Sequence, residues 1–214
     1  MLKTITLIIF ACFLLFGCDT KKAAEEINYG TIKDGVYTNS YFKMTIKAPS
    51  DWVVQSQAAL EELSKRGADL IAGEDKNLKA ALKESEKTTV NLISFFKFEQ
   101  GQPVPFNPSF ISVAEKVSQA PGIKKGSDYL FHTRKFLESG QVEYQFPDAG
   151  YTTVISGVSF DVMPAKIEIQ NTMVYQKYYA AIFNDYALVF VLTYSSETEE
   201  MELNDIFNNI EFAK

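Results

Sequence analysis

Apolar and polar positions alternate strictly between Phe42 and Ala48, with Phe42, Met44, Ile46 and Ala48 on one side and Lys43, Thr45 and Lys47 on the other. A period of two buries one set and wets the other, so the spacing predicts a half-buried strand. A shorter strand is expected at Val36 and Tyr37. Pro49, Ser50 and Asp51 end the longer one, and Trp52, Val53 and Val54 restart an apolar run in which the single tryptophan is a core anchor. The period then changes: Leu60, Leu63, Leu70 and Ile71 fit one face of a helix, and Leu78, Ala81 and Leu82 fit a second after a break at Gly73.

Strands are expected again over residues 90–98 and 110–117. The segment between them, 100–108, holds three prolines and one glycine and reads as an exposed loop. Ser127 is placed to cap a helix over 127–138, with Leu130, Arg134 and Leu137 on one side and Gly140 as its stop. Further strands are expected over 142–146 and 151–155, flanking the turn Pro147 to Gly150, and over 158–163 leading into 166–170, where Ile167 and Ile169 alternate with polar neighbours. Residues 173–183 and 186–194 flank Asn184 and Asp185, a turn tolerant of positive φ, and are expected to pair as an antiparallel hairpin. Ser196 with Glu199 three residues on forms a capping-box pattern, followed by the apolar stripe Leu203, Ile206, Phe207 and Ile210. The expected fold class is α+β, an antiparallel β-sheet flanked by helices.

The chain starts Met1, Leu2, Lys3 and runs on through an apolar stretch from Ile5 to Phe16, broken only by Thr6, to Gly17 and Cys18. A positive end, an apolar middle and a small residue before the cut make a secretory signal. Twelve residues fall short of the roughly 20 that a membrane-crossing helix needs. Leu15, Phe16, Gly17 and Cys18 resemble the lipobox of bacterial lipoproteins, with Phe16 standing where the family carries a smaller residue. The resemblance implies cleavage before Cys18, a diacylglyceryl thioether on Cys18 and stable lipid anchoring to the extracytoplasmic face of a cell membrane. Asp19 resembles the signal that retains such proteins in the inner membrane of a Gram-negative host.

The organisation that follows is a signal peptide over 1–17, a lipidated N-terminus and polar, flexible tether over 18–34, and one globular domain over 35–214. Cys12 leaves with the signal and Cys18 is consumed by lipid, so the mature domain has no disulfide. Loss of Lys3 takes the formal charge from −6 to −7, because the first 17 residues hold no Asp or Glu. That acidic balance disfavours nucleic acid and leaves membrane association to the lipid.

Tyr37, Asn39, Tyr41 and Phe42, then Ile46, Pro49, Asp51 and Trp52, then Asn107, Pro108 and Ser109 leading into 111–117, and finally the closing hairpin with Ile210 and Phe212 form a set. It resembles the superfamily of the PsbP extrinsic photosystem subunit, the Ran-binding import factor of the same fold and the DcrB-type bacterial lipoproteins. The resemblance implies a PsbP-like α/β/α sandwich and a binding or assembly module in place of an enzyme. Fold alone does not set function.

The residues advertise little chemistry. His132 is the only histidine, and there is no H-E-x-x-H, cysteine cluster, phosphate-binding glycine loop or nucleophile elbow. Glu197, Glu199, Glu200 and Glu202 sit where negative charge suits a helix N-terminus. No catalytic residue, cofactor or metal is expected. Aromatic residues make up 14% of the chain, and those left exposed would form a partner surface, with Phe106, Phe110, Tyr175, Tyr178 and Tyr179 as candidates. The functional expectation is a membrane-anchored, non-catalytic binding or assembly module for an envelope protein. The alternative is a carrier or receptor for a small apolar ligand held between sheet and helices.

Overall fold

The computed structural model describes residues 27–213. The signal segment, Cys18 and most of the expected tether lie outside the described residues. The strands are β1 (Thr31–Lys33), β2 (Val36–Asn39), β3 (Met44–Lys47), β4 (Val53–Val54), β5 (Thr89–Phe96), β6 (Ser109–Lys116), β7 (Tyr151–Ile155), β8 (Val158–Ile169), β9 (Thr172–Phe183), β10 (Tyr186–Tyr194) and β11 (Glu211–Phe212). The helices are α1 (Gln57–Ala72), α2 (Lys76–Glu86), α3 (Gly126–Glu138) and α4 (Glu197–Asn208). A seven-stranded antiparallel sheet has the order β4-β5-β6-β10-β9-β8-β7, and a four-stranded sheet has the order β1-β2-β3-β11.

Period-two alternation makes the large sheet two-faced. Phe110 and Ala114 of β6, Leu188, Phe190 and Leu192 of β10, and Tyr179 and Ala181 of β9 point into a core covered by the small sheet and by Leu203, Ile206 and Phe207 of α4. Their neighbours Val113, Ala187, Val189, Tyr178 and Ala180 point the other way, under Leu130 and Leu137 of α3 and Ile71 of α1. Helices therefore lie on both faces of an antiparallel sheet, as the α+β expectation required.

Turn chemistry sets the registers. Asp34 and Gly35, Ser156 and Gly157, and Gln170 and Asn171 each supply consecutive positive φ values, the backbone a two-residue hairpin needs. The β9–β10 hairpin turns at Asn184 (φ 51°) and pairs Tyr186 with Phe183 through to Tyr194 with Tyr175. Ser196 caps α4 with the expected reciprocal bonds: its Oγ accepts from the Glu199 N–H (3.4 Å) and its own N–H donates to Glu199 Oε2 (3.2 Å).

Several expectations are corrected. The folded domain begins before Gly35, because β1 pairs with β2 and the Tyr37 hydroxyl and Asn39 amide donate to the carbonyls of Tyr29 and Asn28 at 2.8 and 2.9 Å. Every β1 side chain is exposed, so no apolar pattern marks the strand. Helix α3 is capped at Lys125, not at Ser127, whose N–H instead donates to Asp161 Oδ2 at 2.7 Å. Residues 142–146 form only an isolated bridge between Gln145 and Lys166. Their alternation is nonetheless physical, since Tyr144 and Phe146 pack against the α3-side core; the pattern reports burial, not a ladder. The two segments 158–163 and 166–170 merge into the single strand β8 across Pro164, whose missing N–H is tolerated because the β7 ladder reaches only as far as Val162. Leu70 is exposed on α1.

Candidate functional site

At one end of the large sheet the last residues of β10 and the first of β9 meet the start of α4. Tyr194 lies opposite Tyr175 in the ladder, and their rings stack at 5.7 Å with an interplanar angle of 17°. Two residues along β9, on the same face, Lys177 forms an ion pair and hydrogen bond with Glu200 of α4, its ammonium 6.0 Å from the centre of the Tyr194 ring. Tyr151 of β7 and Lys166 of β8 close the other wall, leaving an open cleft of about 840 Å³. Tyr175 is 39% exposed and Tyr151 44% exposed, which is unusual for large aromatics at a sheet whose faces are otherwise covered.

Burial, followed by the nearby Glu200 carboxylate, pushes the Tyr194 phenol well up from its ordinary value. Burial, followed by Tyr151, does the same to Tyr179 beneath. Both stay protonated at physiological pH, so the cleft offers phenol donors, aromatic faces and one fixed ion pair. Neither phenol is an activated nucleophile. Of the carboxyls held below their usual range, Asp128 accepts from the backbone N–H groups of Lys124 and Lys125, and Glu138 binds Arg134 and Lys135, so both serve α3. His132 is exposed on α3, edge-on to Phe131 at 5.6 Å. Among the described residues no group of three or more His, Cys, Asp or Glu side chains is placed to hold a metal, and no helix is long and apolar enough to cross a membrane.

Of the five expected surface aromatics, Tyr175 lines the cleft and Phe106 is half-buried in the proline loop, where Asn107 clamps both backbone groups of Phe98 at 2.9 and 2.8 Å. Phe110, Tyr178 and Tyr179 are buried at 0%, 8% and 3% exposure, which removes them from any partner surface. The cause is topological: β9 and β6 run inside the sheet, covered on both faces. Phe110 stacks on Phe95, Tyr178 lies under α3, and Tyr179 packs on Phe207 at 3.9 Å. Tyr151 and Tyr194 are not singled out by the sequence: the hairpin register sets Tyr194 opposite Tyr175, and only strand order brings Tyr151 beside them.

A second hollow, of about 410 Å³, lies between α2 and α3. Its walls include Leu82, Val117, Ile123 and Phe136, and at its base Glu115 accepts hydrogen bonds from Tyr129 (2.7 Å) and Ser85 (3.2 Å). Burial, then the adjacent Glu115 carboxylate, holds the Tyr129 phenol well above its ordinary value.

No protein-family model matches the chain. No curated protein matches it either. Solved structures do. The cyanobacterial PsbP (CyanoP) of Synechocystis sp. PCC 6803 superposes with a TM-score of 0.50 at 9% identity, covering 86% of this chain and 96% of that one. A Pseudomonas aeruginosa protein of unknown function gives 0.40 at 14% identity over 52% of this chain and 78% of its own. LpqN, involved in cell envelope biogenesis of Mycobacterium tuberculosis, gives 0.38 at 14% identity over 78% and 82%. At such identities the CyanoP likeness speaks for the fold alone: the domain is PsbP-like.

Proposed function

We propose that this PsbP-like domain is a non-catalytic binding or assembly module, held by lipid on Cys18 to the extracytoplasmic face of a cell membrane and acting on an envelope protein. In a Gram-negative host that membrane is the inner one. The observation that carries the reading is the stacked tyrosine pair, with Tyr175 exposed over Tyr194, in an open cleft beside the fixed Lys177–Glu200 pair. Tyrosine presents a large, stiff, amphipathic surface, the kind enriched where proteins meet.

The placement of the cleft supports a partner outside the bilayer. Residues 27–30 sit at the other end of the large sheet, where Tyr41 of the adjoining segment packs edge-on against Tyr186 at 5.4 Å, at the far end of β10 from Tyr194. Eight residues of strand separate the two ends, about 26 Å at roughly 3.3 Å per residue. A chain anchored at Cys18 therefore enters the domain at the end opposite the cleft.

The test is in-cell crosslinking of the full-length chain followed by mass spectrometry, with Cys18→Ala and Tyr175→Ala variants. Cys18→Ala is expected to leave the membrane fraction and lose the partner. Tyr175→Ala is expected to stay in the membrane and bind about tenfold more weakly, the usual cost of truncating a central interface tyrosine. A partner captured equally by all three chains counts against the reading.

The α2–α3 hollow favours a second reading, a carrier for a small apolar ligand bearing one hydrogen-bond donor for Glu115. Native mass spectrometry of the purified chain is expected to show a retained small molecule that Ala81→Trp, which fills the hollow, displaces. A bare protein mass in both chains removes this reading.

A further inference from the structure

Strand β7 is the outer edge of the seven-stranded sheet. It pairs with β8 alone, from Tyr151 opposite Val162 to Ile155 opposite Val158, with no break in register. Alternate residues on its free side therefore present unpaired N–H and C=O groups. Edges are ordinarily protected by charge, proline, a bulge or shortness. The other edges follow that rule: β4 and β11 have two residues each, and β1 has three and ends in Lys33. β7 does not. It reads Tyr-Thr-Thr-Val-Ile, five uncharged residues of high strand propensity. Val154 is 63% exposed and Tyr151 44%, and Phe131 of the neighbouring helix, 58% exposed, shares a hollow with Tyr151 and Thr152.

We infer that β7 pairs antiparallel with β7 of a second copy of this chain, about a two-fold axis through Thr153, joining the two large sheets into one. The strand is self-complementary in that register. Thr153 meets Thr153 and Tyr151 meets Ile155, cross-strand pair types that stabilise antiparallel ladders, and Thr152 meets Val154, both β-branched and suited to a strand. Two-fold pairing sets the residue on the axis against its own copy, so a charge there would face itself; the strand carries none. Asp161, the nearest carboxylate on β8, is already occupied by Thr152 (2.9 Å) and by the Ser127 N–H (2.7 Å). A two-fold axis also keeps equivalent points of both copies at one height along it, so two lipid anchors on Cys18 would reach the same bilayer. The pairing does not depend on what fills the tyrosine cleft.

The test uses full-length chain in its membranes. Thr153→Cys, oxidised with copper–phenanthroline, is expected to give a reducible dimer on denaturing gels. The unaltered chain and Lys33→Cys, on the protected β1 edge, are not. In detergent, light scattering is expected to give twice the chain mass for the unaltered protein and a single mass for Thr153→Lys, with association weakened at least tenfold. An unaltered protein of single mass, together with no reducible dimer from Thr153→Cys, overturns the inference. So does a dimer that survives Thr153→Lys, or a Thr153→Cys crosslink only to some other protein.

Discussion

Phe190→Ala is expected to lower the unfolding free energy by about 3–5 kcal/mol, the range for truncating a buried phenylalanine. Phe190 sits at the middle of β10 with no exposed surface, and its ring lies 5.5 Å from Phe110, 5.5 Å from Phe160 and 5.6 Å from Phe207. Those neighbours belong to β6, β8 and α4, and all are pinned by ladders or a capped helix. None can move in to fill the space without dragging its element, so the cavity persists and the cost stays at the upper end. Urea denaturation measures it, as a shift in midpoint at constant slope. Phe131→Ala, on the exposed face of α3, is expected to change stability by no more than about 0.5 kcal/mol. A loss below about 1 kcal/mol for Phe190→Ala would mean that this core is not close-packed.

Gly126→Ala is the second large effect. A Cβ built on Gly126, the first residue of α3, falls inside van der Waals contact of the Ala180 carbonyl oxygen and 2.8 Å from its carbon. Both atoms are backbone of β9 and cannot rotate aside. The start of α3 must therefore lift from the sheet, which breaks the Ser127 N–H bond to Asp161 and loosens the cover over Leu130, Leu137 and Tyr178. A methyl group that is ordinarily helix-stabilising is here expected to cost about 3 kcal/mol. Gly122→Ala, four residues earlier with nothing within 4 Å of the added carbon, is expected to be neutral. Hydrogen exchange localises the effect: α3 amides lose protection in Gly126→Ala, while β5 and β6 keep theirs.

Much of this fold is legible where a local rule acts through a few adjacent residues. The Phe42 to Ala48 alternation, the Asn184 turn and the Ser196 capping box each state their own geometry, and each is found in place. Legibility fails where partners are distant in sequence. β1 is held by its backbone pairing with β2, and the residues just before it by Tyr37 and Asn39, whose bonds to the Tyr29 and Asn28 carbonyls no local pattern announces. Burial at that position pushes the Tyr37 phenol up to about 12. The cleft fails for the same reason. Hairpin register sets Tyr194 opposite Tyr175, but Tyr151 joins them only through the order β10-β9-β8-β7, and the same order sinks Tyr178 and Tyr179 into opposite cores. Hydrophobic content cannot separate an aromatic on an inner strand from one at a sheet end; strand order can.

β11 lies beside β3, with Phe212 opposite Met44 and the Ala213 N–H bonded to the Lys43 carbonyl at 2.9 Å. Phe212 also covers Phe160 and Phe183. Contacts across so long a stretch of chain are the last that loop-closure entropy allows, whereas β8, β9 and β10 zip together through two-residue turns. A chain threaded N-terminus first through a narrow channel thus cannot close its core until residues 211–212 have passed. A copy cut short before Glu211 would leave one side of Phe160 and Phe183 uncovered, with Phe190, Phe207 and Phe42 still packed on them.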